Sequence, residues 1–510
     1  MRILLWHGWL LSGTGSNIYA ARTAQVYRDQ GHDVVLLCQD PHPERAGFVD
    51  AWGTVAADGV SELRPAGAAP GTGRLVLLRP EIGRLLPVFV LDEYEGFTVK
   101  RFLDLTEEEL AAYLVRNVAA LSAAAAWHQP EAVIAGHAVP GAVIAARALG
   151  TGRFVAKVHG SDLEYCVRHQ ERYLELAREG LEAAVAVTGG SDDVLARTAE
   201  LIPTVAGRLR RIPPGVEVDR FRPRPRREAL ETAAALLEDD PDTSRGRPGD
   251  MDRKVAEVLA SRDAAGLDAL AAVYDQLAPD PGAAQRLRAL AGHEGPVVGY
   301  LGKLIPQKGV ERMIEALAVL PPQVRGLVVG FGTHREWLVA LVEALNESDP
   351  EAVEWLGGRL WVELGGSAVA AAGGLAGRIA FTGRLDHRYA PLAVAAMDIL
   401  VVPSMLAEAF GMVAAEAAAA GALPLVARHS SLAEVADALE GALARPGLLS
   451  FEGGPGATGR VAEAVRRILD LDPAVRAELG AEVSRFVASE WTWERTAGRL
   501  LEAARGVFGG

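Results

Sequence analysis

The chain has 510 residues, more than one hydrophobic core usually organises, so we expect two lobes with insertions. Half of the residues are hydrophobic and 23% are charged, which is typical of a soluble globular enzyme. The formal net charge of -14 repels phosphate backbones, so nucleic acid is not an expected partner.

The two cysteines and the first residues of the chain bear on its location. Cys38 and Cys166 are far apart in sequence, so they build neither a disulfide framework nor zinc-ligand spacing. The N-terminus lacks a signal-peptide cleavage pattern, and its apolar run is too short to span a bilayer. The alanine-rich stretch 118–127 is interrupted, and we expect it to be a helix of a globular lobe. These features predict a soluble, cytoplasmic protein.

In the first half of the chain, short apolar runs alternate with longer helical stretches. Strands are predicted at 3–6, 34–38, 86–90, 132–135, 154–158 and 183–187. Helices are predicted at 20–30, 107–127 and 163–182. This alternation predicts a mostly parallel sheet with right-handed crossovers and helices on both faces.

The alternation stops after residues 213–215, a turn that two prolines make rigid. Residues 226–292 predict a helical insertion with a mobile tip near 239–251, and a second insertion is predicted at about 334–376. Strands resume at 296–301, 326–329, 378–382, 399–402 and 423–426. The predicted segments are a first lobe at 1–215, an interlobe segment with the insertion at 216–292, a second lobe at 293–485 and a closing segment at 486–510. Both lobes are predicted to be Rossmann-like, doubly wound α/β folds that face a cleft.

The strongest functional signal follows the strand at 399–402. Glu408 precedes an alanine-rich helix and Glu416 lies within it, eight positions on, so both carboxylates can face one ligand at different depths. The early N–H groups of this helix, in residues 410–413, have no intrahelical acceptor and form an anion site suited to a diphosphate. Gly411 lets the backbone come close to a ligand.

A pair of lysines gives the second signal. Lys303 and Lys308 lie five residues apart in the loop after the strand at 296–301, ahead of a helix from Val310. Two ammonium groups at the carboxyl end of a strand can neutralise a leaving diphosphate without a metal. We therefore expect neither a metal nor another cofactor.

Strand ends of the first half carry further candidates. His159 follows the strand at 154–158 and is a second catalytic candidate, while Asp162 is expected to cap the next helix. Gly13 and Gly15 lie in a turn before the first helix, which suggests phosphate or sugar contacts. This turn is not a dinucleotide fingerprint, because the third glycine is missing and the turn lies too far beyond the strand.

The string Glu-x-Phe-Gly-x-x-x-x-Glu from Glu408 to Glu416 resembles the donor-site signature of family 4 glycosyltransferases, retaining enzymes of the GT-B fold. The resemblance implies that Glu408 contacts the transferred sugar and that Glu416 holds the ribose hydroxyls. The backbone amides that it assigns to the phosphates and sugar are those of Phe410, Gly411, Met412 and Val413.

Other segments extend the resemblance. The loop with Lys303 and Lys308 is similar to the family's pyrophosphate-binding loop, where arginine is often the first cation; Lys303 keeps the charge but loses the bidentate fork. In the family, a His-Gly pair at the place of His159 lies near the donor sugar and the reaction centre. The turn with Gly13 and Gly15 corresponds to a loop that borders the donor phosphates and the acceptor.

The remaining segments of the resemblance carry fewer chemically reactive side chains, but they extend it along most of the chain. Arg384 and Leu385 belong to a loop that resembles the family's nucleobase-reading backbone. Residues 213–221 resemble the interlobe segment, and residues 491–493 open a last helix that in the family crosses back to the first lobe. His7 and His137, each at a strand end, are candidates for lining the acceptor pocket. The insertions at 226–292 and 334–376 lie outside the match.

The expected function is a retaining transfer of a sugar from a nucleoside diphosphate sugar to an acceptor hydroxyl. The acidic first lobe favours a soluble acceptor over a lipid-linked one. Three alternatives stay open: a catalytically silent nucleotide-sugar-binding protein, another GT-B enzyme such as an epimerase or a phosphorylase, and a dehydrogenase. The epimerase is disfavoured by the Glu408–Glu416 string, the phosphorylase by the absence of a pyridoxal-type lysine context, and the dehydrogenase by the missing fingerprint.

Overall fold

The computed structural model describes residues 1–91, 94–370 and 374–506. The chain divides into two compact units: the first comprises Met1–Gly215 with Trp491–Gly510, and the second comprises Val216–Glu490. The predicted insertion at 216–292 belongs to the second unit. Residues 371–373 of the predicted second insertion and 507–510 of the closing segment lie outside the described residues.

The first unit contains a mainly parallel sheet. Its strands are β1 (Arg2–Trp6), β2 (Asp33–Leu37), β3 (Ala51–Ala56), β4 (Gly59–Val60), β5 (Arg64–Pro65), β6 (Arg74–Pro80), β7 (Leu85–Val88), β8 (Thr98–Arg101), β9 (Ala132–Gly136), β10 (Val155–Lys157), β11 (Ala186–Gly189) and β12 (Leu209–Arg211). The order is β12-β11-β10-β9-β1-β2-β6-β3-β4, with β5 on β3 and with β7 and β8 as a separate pair. Both neighbours of β1 are parallel to it, and its apolar side chains are fully buried from Ile3 to Trp6.

Helices cover this sheet. They are α1 (Gly15–Asp29), α2 (Glu107–His128), α3 (Val143–Leu149), α4 (Glu171–Ala183), α5 (Asp192–Leu201) and the last helix of the chain, Trp493–Ala504. A capping box of Thr106 and Glu109 starts α2, because each side chain accepts a hydrogen bond from the other residue's backbone N–H. Thr492 caps the last helix, which packs on α1 and β9.

One helix among the described residues, α2, is long and apolar enough to cross a membrane by length and composition. It packs on β3, β4, β6 and α3. Core helices of globular units meet the same criterion, so the finding is weak on its own.

Several predicted bounds in the first unit are wrong. Helix α1 begins at Gly15 and not at residue 20, because Thr14 caps it. The helix predicted at 163–182 is two elements, a π-turn at Leu163–Val167 and then α4. The strand predicted at 86–90 is Leu85–Val88 and pairs with β8 outside the main sheet.

The second unit repeats the parallel pattern. Its strands are β13 (Val297–Lys303), β14 (Arg325–Phe331), β15 (Ile379–Phe381), β16 (Ile399–Val402), β17 (Leu423–Ala427) and β18 (Ser450–Phe451). Their order is β15-β14-β13-β16-β17-β18, with every pair parallel. The sheet therefore runs outward from β13 in both directions, as in a doubly wound Rossmann-like fold.

The helices of the second unit follow in chain order. They are α6 (Arg226–Glu238), α7 (Met251–Ala260), α8 (Ala264–Leu270), α9 (Ala283–Ala291), α10 (Val310–Val319), α11 (Arg335–Asn346), α12 (Pro350–Leu356), α13 (Gly366–Ala370), α14 (Ala390–Ala395), α15 (Met412–Ala419), α16 (Ser430–Ala442), α17 (Ala457–Leu469) and α18 (Pro473–Glu490). The predicted insertion at 226–292 is helical, from α6 to α9.

The segment predicted as a mobile tip, 239–251, is anchored in the second unit. Buried Asp240 accepts a hydrogen bond from Tyr389 Oη at 2.5 Å and is paired with Arg388. Buried Arg247 donates to Glu336 at 2.8 Å. The Arg247–Glu336 pair is buried on both sides and holds the segment in place, because breaking such a pair leaves an uncompensated charge.

Candidate functional site

In the second unit, the strand order reverses between β13 and β16. Loops leaving these adjacent parallel strands diverge to opposite faces, so a crevice opens at their carboxyl ends. Lys303 ends β13, Lys308 follows in the next loop, and Glu408 lies in the loop after β16. The lysine and glutamate signals of the sequence thus meet at the switch point of one sheet.

Glu408 and Lys308 form an ion pair across these two loops. Glu408 Oε1 also accepts a hydrogen bond from Ser404 Oγ at 2.5 Å. The backbone of Glu408 is fixed to the start of α16, since its N–H donates to Ser430 Oγ (3.2 Å) and its carbonyl accepts from Ser431 Oγ (2.8 Å). Both side chains of the pair keep part of their surface exposed, 31% for Lys308 and 22% for Glu408, so a ligand can reach them.

The two loops also touch through their backbones. Met405 N–H donates to Gln307 C=O at 2.8 Å. Gly309, with φ of +61°, lies so close to the other loop that an added Cβ would be 2.5 Å from Pro403 C=O. Only glycine fits this conformation without strain, and it sets the distance between the loop with Lys308 and the loop with Glu408.

Helix α15 begins directly after the Glu408 loop. Gly411 is its N-cap with φ of +89°, and an added Cβ would be 2.6 Å from Leu432 Cδ2. Phe410 is buried, while Met412 and Val413 are half-buried in the first turn. The first N–H groups and the positive end of the helix dipole favour a bound anion here.

Glu416 lies deeper in the same helix and is 7% exposed. Burial raises the pKa of its carboxyl to about 7, an effect that His387 reduces and Glu217 reinforces. His387 Nδ1 itself donates to Glu217 Oε2 at 2.9 Å. The Glu416 carboxyl is therefore partly protonated near neutral pH, and it can either donate or accept a hydrogen bond.

The remaining donor-lobe candidates surround one aromatic ring. Lys303 Nζ is 6.0 Å and Arg384 Cζ is 5.3 Å from the centroid of Phe331. Both distances are within the range of a cation–π interaction. Gly330 N–H donates to Gly383 C=O at 3.0 Å, which ties the Arg384 loop to β14, and Leu385 beside it is buried.

In the first unit, the strand order reverses between β1 and β9, the strands that precede His7 and His137. His7 Nε2 donates to Asn17 Oδ1 at 2.8 Å, and Asn17 in turn donates to Ser12 C=O. These bonds fix the turn that contains Gly13 (φ +96°) and the start of α1 at Gly15. Burial lowers the pKa of His7 to about 4, so its imidazole is neutral at pH 7.

The structure brings the three predicted histidines of this unit together. The His137 ring is 4.4 Å from the His159 ring and 6.1 Å from the His7 ring, centroid to centroid. Burial lowers the pKa of both His137 and His159 well below the usual range. His137 has a positive φ of 72°, and its buried Nδ1 has no hydrogen-bond partner among the described residues. A strained, neutral imidazole with an unused nitrogen is typical of a ligand contact.

Sequence reasoning missed Lys157 and Tyr19. Lys157 is 3% exposed, and burial lowers the pKa of its ammonium to about 7. Its Nζ is 4.9 Å from the Tyr19 ring, and that ring is 5.3 Å from the His159 ring. The two-residue period of a strand places Lys157 and His159 on one side, which is the signal that could have found it. Asp162 caps the next turn through Leu163 N–H, as expected.

Among the described residues, no group of three or more His, Cys, Asp and Glu side chains is placed to hold a metal ion. Whether the reaction needs a metal is a separate matter, and its independence from one stays a prediction.

Comparisons with known proteins agree with the fold. Residues 367–476 match the family model described as Glycosyl transferases group 1. The chain is 31% identical over 271 residues to 2-deoxystreptamine glucosyltransferase of Streptomyces kanamyceticus, covering 51% of this chain and 60% of that protein. It is 27% identical over 394 residues to a GDP-mannose-dependent alpha-(1-6)-phosphatidylinositol monomannoside mannosyltransferase of Mycobacterium tuberculosis, covering 75% of this chain and 77% of that protein.

Solved structures show the same architecture. Sucrose-phosphate synthase from Thermosynechococcus elongatus aligns with a TM-score of 0.58 at 19% identity over 99% of both chains. Anabaena HepE in complex with UDP-glucose aligns with a TM-score of 0.56 at 16% identity over 98% of both chains. At such identities the likeness shows the fold, which is GT-B.

The class of protein follows from the fold and the relatives: the chain has the GT-B fold and is similar to glycosyltransferases. Residues 367–476 match the Glycosyl transferases group 1 model, and this match and the glycosyltransferase relatives confirm the predicted resemblance, while the solved structures confirm the predicted fold class.

Proposed function

We propose that this chain transfers a sugar from a nucleoside diphosphate sugar to an acceptor hydroxyl with retention of the anomeric configuration. The observation that supports the proposal most is the Lys308–Glu408 ion pair at the switch point of the second unit, beside the start of α15. The pair places the Lys308 ammonium group, which would bind the diphosphate, next to the Glu408 carboxylate, which would contact the sugar.

The bond that breaks joins the anomeric carbon to a diphosphate oxygen, and negative charge grows on the diphosphate as it leaves. Lys308, Lys303 and the first N–H groups of α15 stabilise this charge. Lys308 is prearranged for the task, because Glu408 already fixes its ammonium group. The protein's own cations take the place that a divalent metal has in other transferases.

Positive charge grows on the sugar ring at the same time. Glu408, paired with Lys308 and oriented by Ser404, contacts the transferred sugar and stabilises that charge. The new bond joins the anomeric carbon to the acceptor oxygen, and the acceptor proton passes to a diphosphate oxygen. Glu416 binds the ribose hydroxyls, and the backbone at Arg384 and Leu385 contacts the nucleobase.

The first unit is proposed to bind the acceptor. Neutral His7, His137 and His159 can each accept and donate hydrogen bonds, which suits hydroxyl groups. His159 is the catalytic candidate among them. The two curated relatives differ in acceptor, since one name gives 2-deoxystreptamine and the other a phosphatidylinositol mannoside. The acidic charge of the chain favours a soluble acceptor and a cytoplasmic location.

Thermal melts with UDP, GDP, ADP, TDP and CDP, each with and without magnesium, test the donor site. A nucleotide at about one hundred times its dissociation constant adds roughly 2.7 kcal/mol of stability. We expect one nucleotide to raise the melting temperature without magnesium, and Lys308→Ala to lose most of that rise. Lys254→Ala is the matched control, because Lys254 forms an ion pair with Asp250 elsewhere in the same unit. If the nucleotide raises the melting temperature equally in both variants, Lys308 does not belong to the nucleotide site.

Turnover separates the proposal from a silent binding protein. A transferase releases the nucleoside diphosphate from its donor sugar when an acceptor, or slowly water, takes the sugar. Nucleotide binding with no release under any donor and acceptor tried would favour the binding protein.

A further inference from the structure

A half-open cavity lies in the second unit, on the edge of the sheet. It has a volume of about 610 Å³ and is lined by the edge strand β15 and by helices α7, α9 and α11. Cavities that hold small molecules typically measure about 300–1,000 Å³. The walls combine apolar side chains, such as Val255, Leu290 and Val342, with charged ones.

The charged part of the lining is mostly basic. Five arginines and two carboxylates face the cavity: Arg247, Arg286, Arg325, Arg335, Arg378, Asp252 and Glu343. Three of the arginines pair with carboxylates, and two of these three share one carboxylate. Arg247 pairs with Glu336 and Asp252, and Arg286 pairs with Asp280.

Two of the three guanidinium nitrogens of Arg335 have no hydrogen-bond partner among the described residues. It is 3% exposed, its Nη2 donates to Asp280 Oδ2 at 2.8 Å, and its Cζ is 4.2 Å from the Phe381 centroid. Its Nε and Nη1 have no partner within the part of the chain that the structure describes. Since Arg286 also pairs with Asp280, that carboxylate is shared by two guanidinium groups. Unpartnered buried donors destabilise a protein unless something binds them.

Arg325 and Arg378 are two further arginines of the lining, and over the described ranges their positive charges are not paired with carboxylates. Arg378 donates to backbone carbonyls, among them Leu317 C=O at 2.8 Å, and Arg325 donates to Pro322 C=O at 2.5 Å. Neither contacts a carboxylate among the described residues. Burial, reinforced by the charge of Arg325, lowers the pKa of Arg378. An anion near these groups would relieve a repulsion that the protein itself leaves uncompensated.

We propose that this cavity binds a small molecule that carries a phosphate or carboxylate group, with the anion held by Arg335 and the remainder against the apolar wall. The cavity extends away from the proposed donor site, while Arg335 lies beside the loop with Arg384, because its partner Asp280 donates from its N–H to Thr382 C=O at 2.8 Å. Glu408 follows β16, three strand spacings or roughly 14 Å across the sheet from β15. Arg325 begins β14 and lies six residues, or about 20 Å, from the carboxyl end of that strand.

Titration calorimetry at constant ionic strength tests the site with two probes, inorganic phosphate and succinate. Arg335→Met keeps the side-chain stem over Phe381 and removes the guanidinium. Arg359→Met is the matched control, because Arg359 also lies over an aromatic ring (5.6 Å from Trp337) and pairs with an aspartate, but at the surface. We expect saturable binding by the wild type and the control, and about tenfold or more weaker binding by Arg335→Met, since a charge-assisted hydrogen bond is lost.

The two probes distinguish the sources of the anion. Binding of phosphate alone identifies a phosphoryl ligand, and binding of succinate alone identifies a carboxylate. Arg325→Gln provides a second variant with a half-buried side chain, in case Arg335→Met does not fold, and it is expected to weaken binding as well. The proposal fails if neither probe binds the wild type, or if the folded cavity variants bind as tightly as the wild type.

Discussion

Glu416→Gln gives a stability test of the buried carboxylate in helix α15. The pKa of Glu416 rises from 4.5 in the unfolded chain to about 7 in the folded one because the carboxyl is buried. The folded state therefore holds a proton more tightly than the unfolded state. Between these two pKa values, deprotonation costs the wild type stability as the pH rises, and above about pH 7 the loss is complete.

The size of the effect follows from the same two values. A difference of about 2.5 pKa units corresponds to about 3 kcal/mol at full deprotonation, at 1.36 kcal/mol per unit. Linkage gives a cost of about 1.4 kcal/mol at pH 5.5 and about 3 kcal/mol at pH 8. Glutamine carries no charge at either pH. The stability difference between variant and wild type should therefore move in favour of the variant by about 2 kcal/mol from pH 5.5 to pH 8.

Denaturant unfolding at pH 5.5, 6.5, 7.5 and 8, followed by tryptophan fluorescence, measures this difference. Glu463→Gln on α17 is the matched control, since Glu463 is exposed, and its stability difference from the wild type should not change with pH. A pH-independent stability difference for Glu416→Gln would refute the reasoning. A variant whose stability relative to the wild type falls toward pH 8 would refute it as well. A pH-independent difference would mean that the carboxyl has the same pKa in both states, and a relative loss of stability by the variant toward pH 8 would mean that the folded protein stabilises the ionised carboxylate.

Three further predictions concern single side chains. Lys308→Ala should weaken nucleoside diphosphate binding by about 10- to 100-fold in calorimetry, the usual loss for a charged hydrogen bond; unchanged affinity would place the diphosphate elsewhere. Gly411→Ala should cost about 1–3 kcal/mol in urea unfolding, because φ is +89° and the new Cβ meets Leu432, and an unchanged midpoint would contradict the strain. Lys157→Met should stabilise the protein more at pH 7 than at pH 10, because burial lowers the lysine pKa from 10.5 to about 7 and the cost of the buried ammonium disappears as the pH rises; the reverse order in melts would show a stabilised cation.

The sequence predicted the central strands well, for a physical reason. Strands buried on both faces are continuous apolar runs, and β1, β9 and β16 were found from such runs. Strands β3 and β6 were missed. The Ala-Trp-Gly-Thr pattern of β3 is half-buried and mixed in polarity, whereas β6 lies inside the sheet and contains a buried apolar run that the prediction overlooked. The helix predicted at 163–182 was too long. Helical periodicity continues in the sequence through a turn that separates two elements in the structure.

The candidate site was predictable in its parts but not in its pairings. The Glu408 and Lys308 signals are each local, whereas their ion pair joins residues 100 positions apart. Burial of Glu416 and Lys157 depends on every element packed around them, so their altered pKa values have no signature in the sequence. The bond from Arg247 to Glu336, 89 residues away, is of the same kind. Without that contact in view, a polar segment with two glycines was predicted to be a mobile tip.

The most direct test of the proposed reaction is proton NMR of the sugar product. The nucleotide that stabilises the protein in thermal melts selects the donor sugars, and the coupling constant of the product's anomeric proton reports its configuration. We predict transfer with the donor's configuration retained, and no transfer by a folded Glu408→Ala variant that still binds the nucleotide. A product of inverted configuration, or near-normal turnover by Glu408→Ala, would contradict the proposed mechanism.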